Sequence, residues 1–105
     1  LYNSMNREIA GFDWDAGNRE KCRKHGVPIA EIEAAFVSGL QVAPDLKHSD
    51  AEQRFIAIGR SSGGRPMFVA FTFRQRDGGT FIRPISARYI HKQEVKHYEK
   101  ENPGL

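Results

Sequence analysis

Residues 80–99, TFIRPISARYIHKQEVKHYE, contain a change from strand to helix around which the rest of the sequence is organised. The first half alternates as a β-strand does and ends at Arg88. The second half has helical spacing and places Glu94 and Tyr98 four residues apart, on one side of a helix. A strand that carries arginines, followed by a helix that carries a carboxylate and a phenol, is suited to binding a polyanion.

Three strand-like runs dominate the second half of the chain and cover residues 53–60, 65–74 and 80–88. They are joined by two glycine-rich connections, residues 61–64 and 75–79, which tolerate the positive φ angles of hairpin turns. Both faces of the middle run are apolar, which is typical of a central strand. The pattern therefore predicts an antiparallel meander.

Proline interrupts the third of these runs. Pro84 has no amide hydrogen, which favours an edge position or a β-bulge. Strict alternation would place Arg83 and Arg88 on opposite faces of the sheet, whereas a bulge at Pro84 would bring them to one face. The sequence leaves both arrangements open.

The residues before the meander predict two helices and a short strand. Asp15 is suited to capping a first helix over residues 16–24, and Gly26 is suited to ending it. A second helix begins at Pro28, and residues 40–43 form a short edge strand.

The predicted fold class is α+β: a small antiparallel sheet of three long strands and a short edge strand, packed with two N-terminal helices and a C-terminal helix. The C-terminal helix covers about residues 91–100 and presents a basic stripe that begins at Lys92. The length of 105 residues favours a single domain. We expect residues 1–11 and 101–105 to be peripheral or frayed.

Composition and cysteine content narrow the class of protein. The net charge of +3 fits RNA, DNA or an acidic protein as partner. Cys22 is the only cysteine, which favours a reducing compartment, and no apolar run approaches the ~20 residues of a membrane span. We expect a cytoplasmic protein without a membrane segment.

Cys22 and His25 have the spacing of half a zinc site. A structural zinc site needs four ligands, commonly with more than one thiolate, so we interpret Cys22 as a small buried or half-buried thiol. We expect neither a metal ion nor a cofactor. Lys24 and His25 lie at a helix end, where they either complement the helix dipole or bind phosphate and move protons.

The arginines of the predicted strands say more about function than Lys24 and His25 do. Arg54, Arg83 and Arg88 are either solvated or ion-paired positions, or they face a cleft and bind phosphate with their planar forks. Glu94 and Tyr98 are either a packing pair in which Glu94 binds Arg88, or a catalytic pair.

Several motifs occur in an order that is specific to one family. They are FDWD (12–15), KHGV (24–27), QRFIAIGRS (53–61), RPMFVAFT (65–72), RPISAR (83–88) and E-x-x-x-Y (94–98). Together they resemble the BrnT family of toxins from bacterial type II toxin–antitoxin pairs. The resemblance covers residues 12–99.

This resemblance implies a RelE-like ribonuclease fold and RNA cleavage that inhibits translation. It also implies neutralisation by a BrnA-like antitoxin with a ribbon-helix-helix domain, in a hetero-oligomer with two copies of each chain. Operator DNA would be bound only through the antitoxin. Two positions depart from the family pattern: Gln53 stands where an acid is usual, and Pro84 stands where an aliphatic residue is usual.

The site predicted from the motifs and the resemblance has two parts. The catalytic residues are His25, Arg54, Arg88 and Glu94, and the RNA-binding residues are Lys24, Arg83, Tyr98 and Lys92. Arginines would stabilise the charge on phosphorus, His25 or Glu94 would act as base, and Lys24 or Tyr98 would assist the leaving group. The alternative is a non-catalytic toxin fold that binds its antitoxin through the basic last helix and an exposed sheet edge and acts as co-repressor. A degenerate toxin that keeps the fold and the partner but has lost activity is a third possibility, which Gln53 favours.

Overall fold

A computed structural model describes residues 8–48 and 51–102 of the chain. In chain order these residues form β1 (Ile9–Phe12), α1 (Ala16–Arg23), α2 (Ile29–Ser38), β2 (Gln41–Pro44), β3 (Phe55–Arg60), β4 (Pro66–Arg76), β5 (Gly79–Tyr89) and α3 (Lys92–Glu101). The fold class is α+β, as predicted. None of the helices within the described residues is long and apolar enough to cross a membrane.

The sheet has five strands in the order β1-β5-β4-β3-β2. The antiparallel meander of β3, β4 and β5 is confirmed, with β4 in the centre and β2 antiparallel to β3 at one edge. The prediction that the whole sheet is antiparallel is wrong, because β1 pairs with β5 in parallel. The sheet is therefore mixed.

The additional strand lies in residues that were expected to be peripheral. Ile9–Phe12 hydrogen-bonds to β5, and the side chains of Ile9 and Phe12 pack against the core. The strand ends at Phe12, and beyond it the indole of Trp14 donates to the Glu33 carboxylate at 2.8 Å. Residues 1–7 lie outside the described residues.

Helix α1 begins and ends where its sequence predicts. The Asp15 carboxylate accepts from the Asn18 amide at 3.0 Å, and the Asn18 side chain accepts from the Asp15 amide at 2.7 Å, which forms a capping box. Gly26 has a φ of +81°, which explains why glycine follows this helix. Pro28 is the N-cap of α2, so this helix begins at Ile29, one residue later than predicted.

We call the sheet surface that carries Ala57, Val69 and Ala87 the core face, because all three residues are buried. Helix α2 packs on it, with Phe36 meeting Phe71 edge to face at 5.0 Å. Helix α1 lies along β5 and contributes the buried Cys22 to this core.

Helix α3 covers part of the opposite surface. We call this surface the arginine face and define it by Phe68, Thr72, Arg83 and Arg88. Tyr98 of α3 stacks on Phe68 with ring centroids 5.0 Å apart, yet no residue of α3 is fully buried. The helix extends through the position that was expected to be frayed, Glu101, whereas residues 103–105 lie outside the described residues.

Candidate functional site

A β-bulge brings the two predicted arginines of β5 to one face. Arg88 pairs with Phe68 and Arg83 pairs with Thr72, while the register shifts by one residue so that Ile85 is the extra residue. Phe68 and Thr72 are an even number of residues apart in β4, so their side chains share a face. Arg83 and Arg88 therefore share the arginine face, and of the two arrangements the sequence left open, the bulge is the correct one.

The Arg88 guanidinium holds two side chains of α3. Its Nη1 donates to Glu94 Oε2 at 2.9 Å, and its Nη2 donates to the Tyr98 hydroxyl at 2.8 Å. Its centre lies 5.5 Å from the centroid of the Phe68 ring. The predicted packing pair is thus present, with Glu94 bound to Arg88.

The protonation states follow from these contacts. Partial burial opposes the charge of Arg88, but the bonds to Glu94 and Tyr98 outweigh it and raise the pKa of the guanidinium. The bond from Arg88 and the backbone amide of His91 both lower the pKa of Glu94. Because the Tyr98 oxygen accepts from Arg88, its hydroxyl hydrogen is left to donate to another oxygen. The cluster thus holds a carboxylate and a phenol, each hydrogen-bonded to the same cation.

A second group of arginines lies at the other end of the arginine face. Arg74 of β4 and Arg83 of β5 line one cavity of about 580 Å³ together with Lys21 of α1 and Arg54. Arg54 was predicted to lie within a strand, but it immediately precedes β3, which begins at Phe55. Glu52 forms an ion pair with Arg74 in the same cavity. The cavity is open and basic, with acidic residues at its edge.

Arg83 is fixed between two carboxylates. Its Nη2 donates to Asp15 at 2.8 Å, and its Nη1 lies 3.4 Å from the buried Asp13. The backbone amide of Asn18, followed by the Arg83 side chain, lowers the pKa of Asp15, so this carboxyl is ionised near neutral pH. The residue that caps α1 also orients an arginine of β5.

The predicted arginines thus form two clusters instead of one pocket. Arg54 and Arg83 share a cavity, whereas Arg88 lies with Glu94 and Tyr98. Phe68 and Thr72, which pair with Arg88 and Arg83, are four residues apart in β4, a distance of about 14 Å along the strand. A single phosphate cannot reach both clusters, but a nucleic-acid strand can.

The remaining predicted residues are exposed and lie apart from these contacts. Lys24 and His25 occupy the turn after α1, and Lys92 begins α3. Among the described residues, no hydrogen bond or ion pair joins any of these three to Arg83 or Arg88. Helix α1 advances along β5 in the direction of Arg88, since Asn18 donates to the Pro84 carbonyl and Lys21 lines a cavity with Ile85.

Comparison with protein families decides the class of protein. The sequence model of the family described as "Ribonuclease toxin, BrnT, of type II toxin-antitoxin system" matches residues 14–94. The chain belongs to the BrnT family. The family assignment makes it a ribonuclease toxin of a type II toxin–antitoxin system and implies an antitoxin partner. No curated protein matched this chain.

The matched range covers most of both clusters in this BrnT chain. It begins at Trp14 and ends at Glu94, so it contains the Arg54–Arg83 cavity and the carboxylate bound to Arg88, while Tyr98 lies beyond it. The motif resemblance and the family match therefore agree over the central part of the chain.

Arg74, Phe68 and Asp13 are among the residues of the site that sequence reasoning missed. Arg74 lines the cavity with Arg54, and the alternation of Phe68, Ala70 and Thr72, continued by two residues, would have placed it on the same face. Phe68 supports both Arg88 and Tyr98. For Asp13 the sequence carried no signal, because its contacts with arginines depend on the pairing of β1 with β5.

The predicted interpretation of Cys22 as a small buried thiol is confirmed. The residue is fully buried in the core, and burial raises the pKa of its thiol to about 11. Within residues 8–48 and 51–102, no three His, Cys, Asp or Glu side chains are grouped so that they could hold a metal ion.

Proposed function

We propose that this BrnT toxin is a metal-independent endoribonuclease that cleaves RNA on its arginine face and thereby inhibits translation. The observation that carries the proposal is the position of Arg88. Its guanidinium is held by Glu94 and Tyr98, on the same face as the Arg54–Arg83 cavity. A RelE-like architecture is part of the proposal, and three helices around a small sheet support it.

The reaction is a transfer of the phosphoryl group within the RNA strand. The 2′-oxygen attacks the adjacent phosphorus while the bond from phosphorus to the 5′-oxygen breaks, which yields a 2′,3′-cyclic phosphate and a 5′-hydroxyl. The proton of the 2′-hydroxyl passes to a base, and an acid protonates the leaving 5′-oxygen. Arg88 stabilises the negative charge that builds on the phosphoryl oxygens.

Glu94 is one of the two proposed bases. In the free protein the bond from Arg88 holds the pKa of Glu94 below its ordinary value, which makes the carboxylate a weak base. A substrate phosphate that takes over the Arg88 fork removes that bond, and the basicity of Glu94 then rises. Tyr98 is the proposed acid, because its hydroxyl lies 2.8 Å from Arg88 Nη2, beside the place where the fork would hold the phosphate, and its proton can be donated.

His25 and Lys24 are the second proposed base and acid. They occupy the turn after α1, a helix that advances along β5 in the direction of Arg88. In this scheme the RNA would bend around the part of β5 after Ile82, which β1 does not pair with. A histidine base predicts a rate that changes near neutral pH, which a carboxylate base does not.

The remaining basic residues would bind the RNA on either side of the cleaved bond. The strand position of Arg83 is about 14 Å along the sheet from that of Arg88, so the cavity suits a phosphate farther along the RNA strand than the one next to the reacting phosphate. Lys92 at the start of α3 would add a further phosphate contact.

We further propose that the partner is a BrnA-like ribbon-helix-helix antitoxin, in a cytoplasmic complex with two copies of each chain. The type II family assignment supports this partner. Operator DNA would be bound by the antitoxin part of the complex. A toxin that has lost its activity and serves only as a binding partner is the alternative, and Gln53 at an acidic position of the family pattern favours it.

The experiment compares cleavage of labelled RNA by the purified chain with magnesium and with a chelator. We expect cleavage in both conditions and a loss of about 100- to 1,000-fold in Arg88→Ala. Arg54→Ala and His25→Ala are measured beside it. Arg65→Ala is the matched control. Arg65 packs on the ring of Tyr89, and Tyr89 follows Arg88 in β5, so its side chain lies on the opposite face of the sheet.

Two results would contradict the proposal. If Arg88→Ala, Arg54→Ala and His25→Ala are folded and all cleave like the parent, the site is wrong. If the parent binds its antitoxin but leaves RNA intact, the chain is a binding module. A limb of the pH–rate profile near neutrality that only His25→Ala lacks would assign the base to His25.

A further inference from the structure

A cavity of about 480 Å³ adjoins the Arg88 cluster on the arginine face. Its apolar floor is formed by Ile56 and Phe68 of the sheet and by Tyr98 of α3. Its rim comes from the segment after β2, which includes Leu46, and from the end of α3 at Asn102. Of the described residues that line it, Tyr98 alone belonged to the predicted site.

Tyr98 connects the cavity to the proposed reaction centre. Its hydroxyl accepts from Arg88, whereas its ring lies against Phe68 and lines the cavity. The Tyr98 side chain therefore contacts the guanidinium that would bind phosphate with its hydroxyl, and it borders the apolar cavity with its ring.

We propose that this cavity receives a nucleobase of the RNA strand, next to the phosphate that Arg88 binds. The inference rests on the proposed RNA cleavage and adds a specificity site to it. Proteins that recognise single-stranded RNA place unstacked bases against aromatic side chains and bind the polar base edges with neighbouring groups. Here Phe68 and Tyr98 supply the aromatic surface, and Arg88 lies where the phosphate of the same strand would follow.

The rim has the chemistry to bind the edge of a base. His48 Nδ1 lies 2.9 Å from the Asp45 carboxylate, and both residues line the cavity. The side-chain nitrogen of Asn102, which also lines the cavity, donates to the Tyr98 carbonyl at 3.0 Å, so the side-chain oxygen of Asn102 is left as an acceptor. An apolar cavity with a few polar groups at its rim is typical of a site for a small aromatic group.

Leu46 gives the cavity a feature that can be tested. It is one of two strongly exposed large hydrophobic residues among those described, with 86% of its surface accessible, and it stands at the rim. A bound base would cover this side chain. The other such residue is Val37 on α2, 65% exposed and absent from the lining of this cavity, so it is a matched control.

The test measures binding of short RNA oligonucleotides that carry a 2′-deoxy nucleotide at the cut position and one abasic position each. We expect one abasic position beside the cut to weaken binding to the parent by about tenfold or more. Leu46→Ala should weaken binding to the intact oligonucleotide. The oligonucleotide that lacks this base should bind to Leu46→Ala and to the parent equally well. Val37→Ala should bind every oligonucleotide as the parent does.

Three results would overturn the inference. If the parent cleaves RNA but all abasic oligonucleotides bind alike, the cavity does not hold a base while the proposed function stands. If the parent neither binds nor cleaves RNA, the proposed function fails and the base site fails with it. If Leu46→Ala loses the antitoxin and leaves RNA binding unchanged, the cavity is a protein-binding surface.

Discussion

Arg83 and Arg88 lie on the same face of the sheet although five positions separate them along β5. The odd spacing would place them on opposite faces of a regular strand, but Ile85 is accommodated as a bulge and corrects the alternation. The bulge places the two arginine clusters on one face, which the proposed binding of a single RNA strand requires.

The first prediction concerns the fork of Arg88. In Arg88→Lys the ammonium group keeps the charge but cannot reproduce the planar pair of bonds to Glu94 and Tyr98. We expect kcat/KM for RNA cleavage to fall by about 10- to 100-fold, less than in Arg88→Ala. Equal losses in the lysine and alanine variants would show that charge at this position has no role apart from the fork.

The second prediction concerns the cavity that contains Arg83. If this arginine binds a phosphate, Arg83→Ala should weaken RNA binding and reduce the slope of log K against log salt by about 0.7. Binding titrations at several salt concentrations give the slope. Arg65→Ala, which removes an exposed arginine from the contact with Tyr89, should leave it unchanged. If Arg83→Ala and the parent have the same slope, the RNA does not contact this cavity.

Local chemistry made much of the fold predictable. The Asp15 cap, the glycine at position 26 and the glycine-rich hairpin turns depend on residues close together in the chain, and all were placed correctly. The pairing of β1 with β5 was not predictable, because a strand of four residues does not specify its partner. It depends on the space that β5 and α1 leave at the sheet edge.

The site was less predictable than the fold, because it depends on contacts between segments that are far apart in the chain. Pro84 indicated a bulge, but only the cross-strand register shows that Ile85 is the extra residue. The motifs indicated Arg54 and Arg83, whereas Arg74 and Asp13 join them through contacts between segments far apart in sequence. Long-range pairing decides which charges meet.

The third prediction concerns the buried side chain that joins α1 to the bulged strand. The Asn18 amide donates to the carbonyls of Asp13 and Pro84 at 2.9 and 2.8 Å, and Asn18 also completes the capping box with Asp15. Asn18→Ala leaves two carbonyl oxygens without this donor, so we expect the free energy of unfolding to fall by about 2–4 kcal/mol.

Urea denaturation measures this change. Ser38→Ala is the control, because its hydroxyl bonds to an α2 carbonyl at an exposed position and its loss should change stability by no more than about 0.5 kcal/mol. If the Asn18 variant is as stable as the Ser38 variant, the amide does not hold α1 against β5.

The fourth prediction concerns the reactivity of the thiol. Burial raises the pKa of Cys22 to about 11, and the side chain is fully inaccessible, so at pH 8 about one thiol in a thousand is ionised. We expect iodoacetamide to leave the folded protein unmodified and to alkylate it at once in denaturant. Mass spectrometry detects the adduct. Rapid alkylation of the folded chain would show that the core around α1 opens readily.

The last prediction concerns the pH dependence of stability and follows from Glu94. Arg88 and the His91 amide hold the pKa of this carboxyl below its ordinary value of 4.5, so the folded state binds fewer protons here than the unfolded state does. The contribution of Glu94 to stability is therefore complete above pH 4.5 and is lost as the pH falls through the lowered value. Acid should loosen α3 first, because none of its residues is buried.

Glu94→Gln isolates this contribution, because the amide still accepts a bond from Arg88 but does not titrate. Asp15 and Glu31 also have lowered pKa values, from the Asn18 amide and from Ser62, so both proteins lose stability in acid. The loss should be smaller in the variant when the free energy of unfolding is measured from pH 7 downward. Glu99→Gln on the same helix should follow the parent. Superimposable curves for parent and Glu94→Gln would mean that Arg88 does not hold Glu94 in solution, and the proposed exchange of that bond for a phosphate would lose its basis.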